Sequence, residues 1–260
     1  MGTVVSYRLE PGEIGDAAAR AALGASIREL HRIDRLFSTF APDSAMSRFR
    51  VGEAVDEVEH EEITSVLRLC GRAREITAGW FDPWAMPGGV DPTGLVKGWA
   101  VERAASILAR AGVEAALVNG GGDIASVGPA TRGQPWRIGI RHPWRQEALA
   151  CVVELEGGGA VATSGTYERG AHLIDPFTRR RAGARHGALG SVARVVSATV
   201  VGPSLALADA MATALAVAGS AGVSVAASLV EAGYESYRIS ADGREEATSG
   251  FPFAAAAAPA

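Results

Sequence analysis

Lysine is nearly missing from this chain: Lys97 is the only one among 25 Lys plus Arg residues. Genome base composition often replaces lysine wherever arginine serves equally. A surviving lysine therefore marks a candidate site where a compact ammonium is wanted and a planar guanidinium fork is not. Cysteine is scarce as well. Cys70 and Cys151 stand far apart, fit no metal-ligand spacing and read as idle thiols before they read as a disulfide. The net charge of −4 gives no electrostatic reason to expect nucleic acid or an anionic membrane, and no basic run suggests either. The start, Met1-Gly2-Thr3-Val4-Val5, lacks a charged segment followed by an apolar one. No export signal is visible, and the expected location is the cytoplasm. No stretch of about 20 residues is free enough of charge and turn residues to be expected to span a bilayer.

A chain of 260 residues with 48% hydrophobic and 21% charged residues has the composition of a globular protein with a large core, in one domain or two closely joined lobes. Thr3 to Leu9 is β-prone and ends at Pro11-Gly12. Leu23, Ile27, Leu30, Ile33, Leu36 and Phe37 recur at helical spacing and predict a long amphipathic helix over 16–37. Residues 38–50 form a loop that can open a short helix. A second long helix is expected over 61–77, closed by Gly79, and a third over 97–111, closed by Gly112. The prolines and glycines of 80–94 make a loop. Strands are expected at 116–118, 136–141, 151–155, 159–163 and 193–201. A helix of very small residues over 204–218, another over 223–231 and a closing strand over 234–240 complete the pattern. Strands and helices do not alternate regularly, which predicts α+β rather than a doubly wound parallel sheet. Residues 251–260 read as a frayed tail.

Four clusters carry candidate chemistry. Val118-Asn119-Gly120-Gly121-Gly122-Asp123 runs a strand into three glycines, either a close backbone approach to a phosphate or ring, or a tight turn. Asp91 and Lys97 flank a glycine turn that opens a helix, where the helix N-terminus and the ammonium together favour phosphate; the alternative is a cap with a solvated lysine. Thr163-Ser164-Gly165-Thr166-Tyr167, followed by His172 and Asp175, suggests a nucleophile with its base, or a structural histidine. Asp209 and Thr213, four apart on the small-residue helix, share one face and can reach one hard cation. An aspartate in so apolar a helix needs a cation, a hydrogen-bond network or solvent.

In order along the chain, these motifs resemble the ApbE family of flavin transferases. The likeness runs from Met1-Gly2-Thr3 through Ile33–Phe40, Ser44–Phe49, Phe81-Asp82-Pro83, Asp91–Gly98, Val118–Ile124, Trp136–Ile140, Ala162–Tyr167 and His172–Pro176 to Ala208–Leu215. It implies an α+β fold over residues 1–250 with the active site in a cleft between two closely joined lobes. It also implies transfer of FMN from FAD to a Thr or Ser hydroxyl of an acceptor protein, with release of AMP. FAD is then substrate and Mg²⁺ the cofactor, held by the Gly94 carbonyl, the Asp209 carboxylate and the Thr213 hydroxyl. Met1, Phe40, Trp80, Phe81, Asp82, Asp91, Lys97 and Ile174 match nucleotide-contacting positions, with Gly120, Gly121 and Asp123 lining the same cleft. His172 matches the expected general base. Hydrolysis of FAD to FMN and AMP is the alternative reaction, and a catalytically silent FAD-binding protein the alternative of another class. Three departures stand out: Phe40 where many members have Tyr, Thr166 for a frequent Asp, and Arg179 for the Gly of an Asp-Pro-x-Thr-Gly turn.

Overall fold

The computed structural model describes residues 2–130, 133–145, 147–165, 173–181 and 195–255. Its centre is a seven-stranded antiparallel sheet in the order β1-β2-β3-β6-β9-β10-β11. The strands are β1 (Val5–Glu10), β2 (Ala115–Gly120), β3 (Asp123–Val127), β6 (Gly158–Gly165), β9 (Val195–Gly202), β10 (Glu235–Ser240) and β11 (Glu245–Ala247). Two short hairpins stand apart from it, β4 (Trp136–Arg141) with β5 (Leu149–Leu155) and β7 (Ile174–Asp175) with β8 (Arg180–Arg181). The α-helices among the described residues are α1 (Gly15–Phe37), α2 (Ala45–Arg50), α3 (Glu57–Ile76), α4 (Thr93–Arg110), α5 (Leu205–Ala218) and α6 (Gly222–Glu231). The expected α+β class is what the chain adopts.

The helices cover one face of the sheet. On α1 the buried stripe is Ala19, Ala22, Ser26, Leu30, Ile33, Leu36 and Phe37, so Ile27, expected inside, is 39% exposed. The stripe turns because small residues let the first half of α1 lie close to α4. Ser26 donates to the Ala104 carbonyl (3.0 Å) and shares a hydrogen bond with the Tyr7 hydroxyl (3.0 Å). Helix α3 starts a turn earlier than its apolar pattern predicts, because the Asp56 side chain accepts the Glu59 N–H (2.8 Å) and caps it. Helix α5 lies in the middle of the core with nearly every residue buried. Its N-terminal donors are met by Glu102 of α4, whose Oε2 accepts from Ala206 N–H and the Ser204 hydroxyl, both at 2.9 Å.

The β4–β5 hairpin covers the opposite face. Trp136, Ile138 and Ile140 alternate inward from β4 and meet Val153, Leu155, Val161, Tyr237 and Ile239. The C-terminal tail and the most apolar stretch of the chain both differ from expectation. The tail is not frayed from Phe251: Phe251 is buried, the Pro252 carbonyl accepts from Glu154 N–H (2.9 Å), and Ala254 N–H donates to Val152 (2.8 Å). And one stretch, Leu205–Glu231, is long and apolar enough by composition to cross a bilayer. It is interrupted at Gly219, where φ is 53°, and its first helix is the core of this fold, which is where so apolar a helix is satisfied.

Candidate active site

The loop that follows α3 and the helix that follows the loop shape the site. Thr77, fully buried, returns its hydroxyl to the Ala73 carbonyl (2.8 Å) and accepts the Phe81 N–H (3.1 Å). Phe81 is thereby set over the start of α4, where a Cβ at Gly94 would lie 3.1 Å from its ring. Asp82 accepts from Arg74 (2.7 Å) and from Trp84 N–H (2.9 Å), holding the loop. Asp91 accepts the Thr93 N–H (3.0 Å), a turn that leads into α4. Helix α4 thus begins at Thr93, one turn before the expected start, and Gly94 belongs to its first turn. Asp91 also lies close enough to Cys70 to reinforce the effect of burial on that thiol, which is pushed up to about 12.

Where α4 crosses α5 the backbones are in contact. A Cβ on Gly98 would sit 2.5 Å from the Leu205 carbonyl oxygen and 2.9 Å from Asp209 Cβ, so only glycine allows the crossing. The Gly98 N–H donates to Asp209 Oδ2 at 2.9 Å. In an α-helix that N–H is directed at the carbonyl four residues back, here Gly94. Asp209 therefore competes with the Gly94 carbonyl for one donor. Lys97 extends between two buried carboxylates, forming an ion pair with Asp123 and lying 3.3 Å from Asp209 Oδ2. Asp123 is 1% exposed and also accepts the Thr163 N–H (3.2 Å). The Thr213 hydroxyl, one turn along α5 from Asp209, is 3.2 Å from that of Ser164 at the end of β6.

These groups form the floor of a cavity of about 660 Å³. Phe40, Trp80, Phe81, Asp82, Asp91, Gly94, Lys97, Gly121, Ile174, Asp209 and Thr213 all line it, so eleven positions read from the sequence meet around one space. Asp34, Thr163 and Ser164 line it too. Two expected lining residues do not. Gly120 is packed into the core, where a Cβ would be 2.5 Å from Val101, and serves the close packing of β2 on α4. Asp123 lies under the floor and reaches the cavity through Lys97 and the Thr163 N–H. Met1 and His172 fall outside the described residues, as does Thr166. Asp175, offered as a partner for a histidine, instead accepts the Phe177 and Thr178 N–H groups (2.9 and 3.2 Å) and builds a turn.

The ApbE family pattern matches residues 1–88 and 85–235. The chain belongs to the ApbE family. It is 29% identical over 266 residues to an FAD:protein FMN transferase of Salmonella typhimurium, covering 78% of this chain and 73% of that protein. A Vibrio cholerae FAD:protein FMN transferase is 36% identical over 138 residues, half of this chain and 39% of the relative. Among solved structures, the flavin transferase ApbE from Vibrio cholerae superposes with a TM-score of 0.78 at 27% identity, covering 96% of this chain and 95% of that one. The ApbE protein of Thermotoga maritima has the same fold, with a TM-score of 0.78 at 24% identity.

Proposed function

We propose that this ApbE-family chain transfers the FMN half of FAD to a Ser or Thr hydroxyl of an acceptor protein and releases AMP. The observation that carries the reading is the single cavity joining the α4 N-terminus and Lys97 to Asp209 and Thr213, with aromatic rings of Phe40, Trp80 and Phe81 above them. The cavity is large enough for part of a dinucleotide to be enclosed. Its floor offers a helix N-terminus and an ammonium for a pyrophosphate, and its rim offers rings for a flavin or adenine.

The floor also suits a hard cation. Asp123 and Asp209 place two carboxylates beside the Lys97 ammonium, so carboxylate oxygen is at hand at the base of the cavity. Among the described residues no three His, Cys, Asp or Glu side chains converge. The donors at hand are the Gly94 carbonyl, the Asp209 carboxylate and the Thr213 hydroxyl, an all-oxygen set of the kind Mg²⁺ takes while keeping sites for water and phosphate. Bound there, the ion would offset charge on the pyrophosphate oxygens.

The acceptor hydroxyl oxygen forms a bond to the FMN phosphorus while the bridging P–O bond to the AMP phosphate breaks, and AMP carries away that oxygen. The proton of the hydroxyl passes to His172 as general base. Lys97, fixed by Asp123, holds positive charge beside the phosphates. Incubation of the protein with FAD, Mg²⁺ and an acceptor polypeptide tests the reading. Covalent flavin on the acceptor, seen by fluorescence after denaturing electrophoresis, is the expected result. Release of FMN and AMP with no labelled acceptor would replace transfer by FAD hydrolysis, and unchanged FAD would leave binding alone.

A further inference from the structure

Among the described residues only Ala78 and Arg179 are non-glycine residues with positive φ, at 49° and 56°. They are a hundred residues apart in sequence, yet their turns touch. The Phe177 ring packs edge-on against Trp80 at 4.8 Å, and a Cβ on Gly79 would lie 3.4 Å from Phe177 Cζ. Trp80 lines the cavity, and so does Ile174 at the base of the second turn. Strained backbone is thus gathered on one stretch of the cavity rim, where strain persists only if the surroundings over-determine it.

Nothing in the second turn requires arginine. Asp175 builds it alone: its carboxylate takes the Phe177 and Thr178 N–H groups and its carbonyl takes the Arg179 N–H at 2.7 Å. Glycine would adopt the left-handed position without strain. Arg179 and Arg180 are exposed, and among the described residues neither has an ion-pair partner. Phe177 beside them is 62% exposed. The sequence between Asp175 and Asp209 contains five arginines and no carboxylate, in a chain whose net charge is −4. A cationic turn with an exposed ring, on the rim of the cavity of an otherwise acidic protein, is a surface complementary to an acidic polypeptide.

We propose that the turn carrying Phe177, Arg179 and Arg180 docks an acidic segment of the acceptor protein next to its reactive hydroxyl, an inference that rests on the transferase reading. Phe177 makes the apolar contact and the two guanidinium groups take carboxylates. From Ile174 to Phe177 the chain spans at most about 10 Å, so the recognised carboxylates lie within roughly four residues of the acceptor Ser or Thr.

Two fluorescently tagged peptides test this, each with one central threonine, one flanked by aspartates and the other by alanines and serines. Binding is read by anisotropy with FAD and Mg²⁺ present, and transfer by covalent flavin on the peptide. The native protein is expected to prefer the acidic peptide about tenfold. The Arg179→Gly/Arg180→Ser variant is expected to lose that preference, with no change in the FAD dissociation constant. Arg179→Gly relieves the left-handed strain, so misfolding does not explain a loss. Phe177→Ala should weaken both peptides. A native protein with no acidic preference, or a variant that keeps it, overturns the proposal. Acidic preference in binding without any covalent flavin supports the surface and overturns transfer; transfer without preference does the reverse. Failure of both peptides to bind or react overturns both.

Discussion

The seven-stranded sheet has helices on one face and the β4–β5 hairpin on the other, and the buried charge follows the helices. Strand β9 serves both: Ala198 and Val200 join the core under the helices, while Val196 and Val201 join the core under the hairpin. The hairpin side is filled with Trp, Ile, Val, Leu and Tyr, and among the described residues the buried carboxylates, Asp123 and Asp209, belong to the helical side. On the helical side the residues are smaller. Alanine and glycine on α4 and α5 bring two backbones close enough that Gly98, Asp209 and Lys97 share one network. Large side chains fill space and exclude chemistry; small ones leave room for a carbonyl, a carboxylate and a hydroxyl to converge.

The difference can be broken at its strongest point by Asp209→Ala, which should lower transfer roughly a thousandfold, equivalent to about 4 kcal/mol of barrier. The same variant should abolish the rise in melting temperature produced by Mg²⁺ in the native protein. An undiminished Mg²⁺ shift would remove Asp209 from the metal site. The converse change is Trp136→Ala on the hairpin face. Trp136 is 3% exposed and donates to the Gly128 carbonyl at 2.9 Å, so truncation should cost about 3–5 kcal/mol of stability. Transfer by the folded fraction at low temperature should be that of the native protein. A loss of activity beyond the loss of folded protein would mean that the two faces are not independent.

Gly98→Ala tests the seam itself. The added methyl group meets the Leu205 carbonyl and Asp209 Cβ, so the helices must part. The expected cost is about 1–3 kcal/mol of stability, together with a weaker Mg²⁺ shift as Asp209 is displaced. A variant destabilised but normal in Mg²⁺ response would show that the crossing supports the fold and not the site.

The same contrast explains what could be read from the residues alone. The hairpin face was legible: a short apolar strand expected over 136–141 has those bounds in the structure, with its side chains alternating inward and outward. Long apolar periods located α1 and α3, and the run of small residues located α5. Strand β3 escaped because Asp123-Ile124-Ala125-Ser126-Val127 follows three glycines and looks like the exit of a turn. Its pairing with β6, which neighbours it in the sheet, is set by long-range register that no local pattern carries. The resemblance puts Asp123 in the cleft together with the glycines before it. Its real position under Lys97 depends on α4 crossing that end of the sheet. Glu102 was missed for the same reason, since an acid within a helix gives no local sign that it caps another helix. The resemblance to the ApbE family supplied the ligand set and the expected base; spacing alone left each of those motifs with a structural alternative.

The smallest expected effect concerns the outer surface of the helical side. Arg32 of α1 makes paired bonds to Glu29 (2.8 and 3.0 Å) and to Glu62 of α3 (2.7 Å each), and Arg103 of α4 donates to Glu29 at 2.9 Å. The bonds from Arg32, opposed by partial burial and helped by Arg103, hold the Glu29 carboxyl down at about 2. An acid whose pKa is depressed in the folded state stabilises that state above its unfolded value near 4.3 and loses the contribution as pH falls towards the folded one. Arg32 is 38% exposed, so solvent screening limits the gain to about 1 kcal/mol or less. Glu29→Gln should therefore melt slightly below the native protein at pH 6, with the gap narrowing as pH falls towards 2. A gap that keeps its size would mean that shape, and not charge, joins α1 to α3 and α4.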